Sequence, residues 1–336
     1  MTLKALGWKP FFAQQVDHDV LSMTPPVRVT EVHKNGLRVL GEGVEMLIPP
    51  GPNATVGDWL LLDQEHPPSS RVLERTSLFE RRAPGKELRR QMIAANVDTV
   101  FIVTSCNQDF NVARLERFVA LAFEAEVTPV ILLTKVDLCA EADSYFDAAR
   151  DISNRVSVEL VNALSDAAQK VLAPWCAPGQ TVAFLGSSGV GKSTLVNAIF
   201  AQEMAATAAV RLDDDRGRHT TTSRQLHFTP NGCAVLDTPG MRELQLTDVG
   251  AGIADVFEDL TELSHQCKFR DCKHETEPGC AVRAAIKAGD VDADRAARWS
   301  KLAEEDRFNS ESLLERKAGN KALSKLIRNS QKSRGN

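Results

Sequence analysis

Residues 186–193 read GSSGVGKS and fit the spacing G-x-x-x-x-G-K-[ST] of a phosphate-binding loop. The apolar run TVAFLG leads into this loop and the helical pattern KSTLVNAIFAQ follows it, as the motif requires. Glycines let the backbone curl until its N–H groups point at phosphate oxygens, while Lys192 supplies a charge and Ser193 a hydroxyl for Mg²⁺. A chance glycine turn before a helix is the alternative, and the strand–loop–helix context favours nucleotide binding. The predicted phosphate-site residues are Gly186, Ser187, Ser188, Gly189, Val190, Gly191, Lys192, Ser193 and Thr194.

A second motif, TKVD at residues 134–137, ends an apolar run and resembles a base-reading loop. Asp137 would accept two hydrogen bonds, from N1–H and the 2-amino group of guanine. Adenine presents no such pair of donors and would leave the carboxylate unpaired. Lys135 can lay its aliphatic stem over the base, and the hydroxyl of Thr134 can brace the loop. Four residues make a weak motif, and an ordinary surface turn is the alternative, but the phosphate loop elsewhere in the same predicted sheet favours guanine.

Two further segments carry residues suited to Mg²⁺ and to a γ-phosphate. DTPG at 237–240 follows the apolar run CAVL, so that Asp237 would hold Mg²⁺ through water and the Gly240 N–H would contact the γ-phosphate. GRHTTT at 217–222 lies in a polar segment, and one of its threonines should reach the metal when GTP is bound. The candidates are Thr221, which we prefer, and its neighbours Thr220 and Thr222.

These motifs stand in an unusual order along the chain. The base loop precedes the phosphate loop, and the switch segments at 217–222 and 237–240 come last. This is the motif set of a GTPase in circularly permuted order, which a domain tolerates because its termini often lie close together at the surface. The second switch segment therefore leads directly into the C-terminal region. We hypothesise that the γ-phosphate acts on that region through this loop; similar hydrogen-exchange protection of residues 250–300 with GDP and with a GTP analogue would count against the idea.

The cysteines fall into two groups. Residues 267–280 read CKFRDCKHETEPGC, which places Cys267, Cys272, His274 and Cys280 in the pattern C-x4-C-x-H-x5-C. Three thiolates and one imidazole satisfy tetrahedral Zn²⁺ with no open position, so the site should be structural and should stabilise a small subdomain. Three free cysteines and a surface histidine are the alternative, which the close spacing of four soft ligands disfavours. The remaining cysteines are typical of buried free thiols: Cys106, Cys139, Cys176 and Cys233.

The elements that must position these motifs predict a multidomain protein. Short strands with turn signals, among them Asn35-Gly36, predict an OB-type β-barrel, for which a β-sandwich fragment is the alternative. Residues 81–97 are polar and basic, which predicts a linker. Alternating strands and helices then predict a mostly parallel α/β sheet, and a charged helical pattern surrounds the cysteine cluster. The predicted divisions are a lead-in at 1–24, the barrel at 25–85, the α/β GTPase domain at 90–245, a mostly helical zinc-binding domain at 246–315 and a basic tail at 316–336.

Composition limits the classes of partner. A net charge of −5 excludes a uniformly basic nucleic-acid coat. Basic patches within residues 71–90 and after Glu315 suit phosphate backbones, but on charge alone a solvated helix face and a disordered tail are preferred. The sequence has neither an apolar run of about 18 residues nor a signal-peptide core. We therefore expect a cytoplasmic protein without a membrane span, and a monomer, because nothing indicates an obligate oligomer.

The motifs together resemble the RsgA family, also called YjeQ or YloQ, of circularly permuted GTPases that act in maturation of the small ribosomal subunit. The resemblance rests on the barrel-like region, TKVD, GSSGVGKST, GRHTTT, DTPG and the cysteine–histidine cluster, and it covers nearly the whole chain. It implies that the OB and zinc domains hold 16S rRNA around the decoding region. It also implies that the 30S subunit stimulates hydrolysis of GTP to GDP and phosphate, with one structural Zn²⁺ and with Mg²⁺ bound alongside GTP.

Three positions in the binding loops depart from common GTPase patterns. Thr134 replaces the asparagine of N-K-x-D, and the ribose-side loop usually written S-A reads Asn162-Ala163. Gly189 stands where potassium-dependent GTPases often carry asparagine, so we invoke no potassium.

The catalytic water raises a separate question. Met241 stands where Ras-like enzymes carry the glutamine that orients this water, and its side chain cannot do so, which predicts slow intrinsic hydrolysis. His219 is the nearest substitute, and contact with RNA or solvent is an equal alternative for it. Lys192 and Asp237 complete the predicted catalytic set. Two rival classes are a P-loop ATPase or kinase with an incidental TKVD, and an RNA-binding scaffold that only senses nucleotide.

Overall fold

The computed structural model describes residues 1–82, 90–200, 224–237 and 248–310, without the side chains of His18, Ser22, Arg82 and Asp237. Several predicted features lie outside the described residues: His219, Thr221, Gly240, Met241 and the basic tail at 316–336. Within the described part of the chain, no helix combines the length and the apolar character that a membrane span needs.

The N-terminal region is a small antiparallel β-structure. Its elements are the helices α1 (Pro10–Ala13) and α2 (His18–Met23), a 3-10 turn at Pro67–Ser69, and the strands β1 (Pro26–His33), β2 (Gly36–Gly41), β3 (Val44–Ile48), β4 (Trp59–Leu61) and β5 (Arg71–Val72). The strands form an antiparallel sheet in the order β3-β2-β1-β4-β5. An OB-type barrel has five strands and is partly open, so this order is compatible with the predicted barrel, and the region is called the barrel below. The hairpin turn falls on Lys34 and Asn35, one residue earlier than the predicted Asn35-Gly36, because His33 pairs with Gly36.

The lead-in packs against this barrel through aromatic rings. Trp59 of β4 is fully buried, and the ring centroids of Trp8 and Phe12 lie 4.8 and 5.9 Å from its own. Large aromatic side chains bury more apolar area than other residues. The lead-in is therefore part of the barrel's core.

The prediction of a linker at residues 81–97 is wrong. Strands β6 (Leu78–Arg82) and β7 (Arg90–Ala95) form an antiparallel hairpin that pairs Leu78 with Ala95 at one end. Phe79 of β6 and Ile93 of β7 are buried in the same apolar core as the α/β sheet. The basic residues dominate the composition here and conceal the few apolar positions that anchor the hairpin.

The central region is the predicted α/β sheet. Its strands are β8 (Thr99–Ser105), β9 (Thr128–Thr134), β10 (Ser157–Val161), β11 (Thr181–Gly186), β12 (Arg224–Phe228) and β13 (Ala234–Asp237), with helices α3 (Val112–Glu124), α4 (Ala142–Arg150), α5 (Ala167–Leu172) and α6 (Lys192–Phe200) and 3-10 turns at Val136–Leu138 and Ala173–Trp175. The strand order is β10-β9-β8-β11-β13-β12, all parallel except β12. The strand that leads into the phosphate loop, β11, thus lies in the middle of the sheet although three of these strands precede it in the chain.

The barrel and the α/β domain share one sheet. β1 pairs antiparallel with β12, with Glu31 opposite Gln225 and Val32 opposite Arg224, so that the sheet has eleven strands within the described residues. An unpaired edge strand exposes backbone donors and acceptors, and β1 covers those of β12. The sequence contains no local signal for this pairing.

The C-terminal region consists of α7 (Gly250–Val256), α8 (Glu258–His265), α9 (Ala281–Ala288) and α10 (Ala293–Ser310). It packs on α3 of the α/β domain. Glu116 of α3 is 1% exposed, and Nε of Arg298 on α10 donates to its carboxylate oxygens at 3.0 and 2.9 Å. Burial raises the pKa of Glu116, and the nearby charge of Arg298 opposes that shift. Loss of one partner would leave an unpaired buried charge, so this ion pair holds the two regions together.

Close contact between α7 and α3 gives the first prediction. A Cβ at Gly252 would lie 2.0 Å from the carbonyl oxygen of Ala120, so Gly252→Ala forces the two helices apart. We expect a loss of about 1–3 kcal/mol in the free energy of unfolding, measured by denaturant titration. Gly250→Ala is the matched control, because its Cβ would meet only Asp306, at 4.0 Å. Equal stability of the two variants would contradict this packing.

Candidate nucleotide site and metal centre

The phosphate loop follows β11 in a conformation that needs glycine. Gly186 has φ of 140°, and a Cβ there would lie 2.2 Å from the carbonyl oxygen of Val103 on β8. Gly191 has φ of 98° at the start of α6. A side chain at Gly186 would block the close approach of the loop to β8, and the positive φ of Gly191 favours glycine although a Cβ there would meet its neighbours only at 3.8 Å. The glycines of the motif therefore stand at positions where the backbone has a positive φ.

The charged and hydroxyl groups of the loop lie at the first turn of α6. Nζ of Lys192 donates to the carbonyl oxygens of Gly186 and Ser187, so the ammonium group lies inside the loop. Ser193 and Thr194 follow on the same turn and are partly exposed. A helix N-terminus presents N–H groups and partial positive charge, which favour an anion at this position.

A hydrogen bond joins the TKVD loop to the phosphate loop. Thr134 is buried at the end of β9, and its hydroxyl donates to the carbonyl oxygen of Val190 at 2.7 Å. The carbonyl oxygen of Thr104 lies 3.2 Å from the same hydroxyl, which has one proton and makes its shorter bond to Val190. Lys135 then adopts a left-handed conformation (φ of 57°), and Asp137 is exposed on the following 3-10 turn. The loop-bracing role expected of the threonine is thus present in the structure.

The third segment reaches the same place from β10. A Cβ at Gly191 would lie 3.8 Å from side-chain atoms of both Thr134 and Ala163. Oδ1 of Asn162 accepts a hydrogen bond from the Leu164 N–H at 3.0 Å. The side chain of Asn162 therefore braces its own loop, and this segment offers a ligand its backbone at Ala163.

The switch segments are represented by one described position, Asp237. It is the last residue of β13 and lies opposite Gln225 on β12. β11 and β13 are parallel neighbours, so their carboxyl ends, which carry the phosphate loop and Asp237, meet at one edge of the sheet.

A metal-binding group lies between α8 and α9. Cys267, Cys272, His274 and Cys280 place their ligand atoms within 4.8 Å of one another. Nδ1 of His274 lies 3.6 Å from Sγ of Cys267 and 3.4 Å from Sγ of Cys280, and the two sulfurs are 3.9 Å apart. The structure therefore brings all four predicted ligands together.

Backbone groups around the cluster favour thiolates. The N–H groups of Ala281 and Arg283, at the start of α9, point at Sγ of Cys267 and Cys280, each at 3.4 Å. An N–H donor at a helix start favours negative charge on the sulfur. The residue before the helix, Cys280, is thus both a candidate ligand and the N-cap of α9.

Two residues that support the cluster were missed by the sequence analysis. The ring of Trp299 on α10 lies 5.2 Å from that of His274, at 32°. The carboxylate of Glu277 accepts hydrogen bonds from the N–H groups of Lys273, Thr276 and Glu275, which lower its pKa to about 2. Spacing alone gives no signal for Trp299, whereas an acid within a ligand loop is a weak signal for a turn.

Comparisons with known proteins agree with this arrangement. A family model described as RsgA GTPase matches residues 72–247, and a model described as ABC transporter matches residues 172–325, which also contain the phosphate loop. A protein of Vibrio parahaemolyticus, named small ribosomal subunit biogenesis GTPase RsgA 2, is 47% identical over 97% of this chain and 92% of its own length. A protein of Mesorhizobium japonicum, named small ribosomal subunit biogenesis GTPase RsgA, is 48% identical over 92% of this chain and 91% of its own.

Solved structures lead to the same family. The crystal structure of YjeQ from Thermotoga maritima has a TM-score of 0.61 and 25% identity, covering 83% of this chain and 97% of that one. The structure of YloQ, described as a circularly permuted GTPase, has a TM-score of 0.57 and 25% identity, covering 88% and 99%. Together with the permuted strand order, these matches show that the chain belongs to the RsgA GTPase family.

Proposed function

We propose that this chain is a GTPase that hydrolyses GTP to GDP and phosphate and assists maturation of the small ribosomal subunit. Its relatives carry that name at 47% and 48% identity over nearly their whole length. The observation that carries the proposal is the hydrogen bond from Thr134 to Val190, because it joins the base loop to the phosphate loop in one site.

Guanine recognition falls to the loops after β9 and β10. The exposed carboxylate of Asp137 accepts from N1–H and the 2-amino group, and the stem of Lys135 covers the base. The Ala163 N–H, which has no hydrogen-bond partner among the described residues, donates to the O6 atom that distinguishes guanine from adenine. Asn162 keeps this N–H in place through its bond to Leu164. The base is thus read by one carboxylate and one backbone donor.

The phosphates lie in the loop at residues 186–191 and against the first turn of α6. Lys192 exchanges the carbonyls of its own loop for β- and γ-phosphate oxygens. Ser193, on the first turn of α6, and Asp237, the last residue of β13, belong to the same edge of the sheet, and their oxygen ligands would suit Mg²⁺. The ion, when bound with GTP, neutralises phosphate charge. Thr221 and the Gly240 N–H are the proposed contacts to the metal and to the γ-phosphate in the GTP state.

Hydrolysis needs a residue that orients water, and Met241 cannot supply it. We assign that role to His219, whose imidazole can accept a proton from water or hold it in line. We therefore expect slow intrinsic turnover, which rises when a bound partner positions the segment that carries His219.

The metal centre suits one structural Zn²⁺. With Zn–S of about 2.3 Å and Zn–N of about 2.05 Å, tetrahedral geometry requires about 3.8 Å between sulfurs and about 3.6 Å between sulfur and nitrogen. The observed 3.9 Å between the sulfurs of Cys267 and Cys280, and 3.6 and 3.4 Å to His274, fit three of those edges. With Cys272 included, all four ligand atoms lie within 4.8 Å of one another. Four protein ligands leave no open position, so the ion stabilises the C-terminal region and takes no part in hydrolysis.

The 30S subunit is the proposed partner, with 16S rRNA bound by the barrel and by the zinc-binding region. We propose that it acts in the cytoplasm, on the basis of its ribosomal partner, and that it acts as a monomer. The domain limits at 25–85, 90–245 and 246–315 are kept as a proposal with one change. Strand β6, which falls within 25–85, is assigned together with β7 to the second unit, because Phe79 and Ile93 lie in the core of that unit.

Replacement of Thr134 tests the union of the two loops. Thr134→Val keeps the shape of the side chain but removes the donor to Val190, and a neutral hydrogen bond contributes about 1 kcal/mol, so GDP should bind about fivefold more weakly. The measurement is titration of a fluorescent GDP analogue. Thr134→Ser keeps the hydroxyl and should stay within about twofold of the natural chain. Unchanged affinity in the valine variant would contradict the bracing role.

Removal of the metal tests the structural role of zinc. A chelator should release one zinc ion per chain, raise hydrogen exchange across α8 and α9, and leave GDP affinity within about twofold. Cys272→Ser should reproduce this effect, whereas Asp271→Asn, an exposed neighbour that is not a ligand, should not. A chain that binds no zinc, or that loses GDP binding together with the metal, would refute the assignment.

Turnover with ribosomal subunits tests the function itself. The purified chain should hydrolyse GTP slowly alone and at least about tenfold faster with 30S subunits, while 50S subunits should have no effect. His219→Ala should lower the stimulated rate and spare GTP affinity. The absence of 30S stimulation would contradict the ribosomal assignment. A loss of GTP affinity in the variant would contradict the catalytic role of His219.

A further inference from the structure

Strand β1 of the barrel contacts the α/β domain near both of its ends. At the N-terminal end, the guanidinium of Arg28 is fully buried and donates four hydrogen bonds. The acceptors are the carbonyl oxygens of Leu6 at 2.6 Å, Gly57 at 3.3 Å and Asn96 at 3.3 Å, and Oγ1 of Thr181 at 2.8 Å. One side chain thus joins the lead-in, the barrel and the first residue of β11.

This buried charge resists displacement of β1. Burial lowers the pKa of Arg28 to about 10, and Asp98 and Asp58 act in the opposite direction, so the group stays charged at neutral pH. A buried charged donor that loses its acceptor has a large desolvation penalty. A movement of β1 relative to β11 would break the bond to Thr181, so we expect the two strands to move together.

At its other end, β1 is paired with β12. Glu31 lies opposite Gln225, and Gln225 lies opposite Asp237 on its other side. These three register positions form one row across β1, β12 and β13, at about 5 Å from strand to strand. The barrel strand is therefore two strands away from the residue proposed to serve Mg²⁺.

Arg224 holds the start of β12 in this row. It lies opposite Val32 of β1, and Nη1 of its guanidinium donates to the carbonyl oxygen of Met92 on β7. In the sequence, only Ser223 separates Arg224 from the GRHTTT segment. Arg224 therefore contacts β1 and β7 in the structure and lies close in sequence to Thr221 and His219.

We propose that β1 couples the barrel to the nucleotide site, and that Arg28 and Arg224 are positioning residues through which an RNA-bound barrel raises the rate of GTP hydrolysis. The proposal rests on the proposed function, because small-subunit RNA is the ligand assigned to the barrel. The shared sheet gives a direct backbone connection from the barrel to β12 and β13, whereas the C-terminal region contacts the α/β domain chiefly through α3.

Two substitutions test this coupling at its two ends. Arg224→Met removes the donor to Met92 but keeps the apolar stem, and Thr181→Val removes one acceptor of Arg28 with little change in shape. Arg224→Lys keeps a donor and serves as the conservative variant. Arg155→Met is the matched control, since Arg155 pairs with Asp255 at 3.0 Å on the C-terminal side and does not touch β1 or β12.

The measurements are GTP turnover with and without 30S subunits, the concentration of 30S subunits at half stimulation, GDP affinity and the melting temperature. Arg224→Met should lower the stimulated kcat about tenfold, with unstimulated turnover, half-saturation and GDP affinity within about twofold of the natural chain. Thr181→Val should act in the same direction, Arg224→Lys should retain most of the stimulation, and Arg155→Met should retain all of it.

Normal stimulation in both Arg224→Met and Thr181→Val would overturn the coupling. So would a change confined to melting temperature, GDP affinity or half-saturation, because those results describe a residue that only holds the fold. The natural chain separates the two proposals: if 30S subunits do not stimulate it, the proposed function fails and the inference falls with it, whereas stimulation of every variant alike refutes the inference alone.

Discussion

The hydrogen bond from the hydroxyl of Thr134 to the carbonyl oxygen of Val190 is the contact on which the nucleotide site depends. It lies at the carboxyl edge of a parallel sheet, where the loops after β9, β10 and β11 meet. Ligands of α/β sheets bind at this edge because strand ends, helix N-termini and loop donors converge there. The order of these loops along the sequence can change without changing the site, provided that each strand keeps its position in the sheet. The circularly permuted order of the motifs is therefore compatible with the usual arrangement of loops around a nucleotide.

The permutation changes what lies next to the site. The barrel joins the sheet at β12 through β1, and the C-terminal region begins shortly after the DTPG segment and packs on α3. Both flanking regions are held by groups that are costly to separate: Arg28 with its four acceptors on one side, and the buried pair of Glu116 with Arg298 on the other. Both flanking regions are thus fixed to the α/β domain, one through the pairing of β1 with β12 and the other through the packing on α3.

Sequence patterns predicted the features that depend on residues close together in the chain. The phosphate loop, the bracing hydroxyl of Thr134 and the cysteine–histidine cluster were readable because their spacing encodes their geometry. Contacts between distant segments were not readable. Nothing near Glu31 indicates Gln225, nothing near Glu116 indicates Arg298, and the basic composition around β7 concealed its buried Ile93. Such contacts arise from tertiary packing, which local periodicity does not record.

We propose that the TKVD and GSSGVGKS loops form one guanine-specific site. The most direct measurement is displacement of a fluorescent GDP analogue from the purified chain by unlabelled nucleotides. We expect GDP and GTP to displace it, whereas ADP and ATP should fail even at about a hundredfold higher concentration, since adenine leaves the carboxylate of Asp137 unpaired. Displacement by adenine and guanine nucleotides at similar concentrations would contradict it and would leave only a phosphate-binding loop.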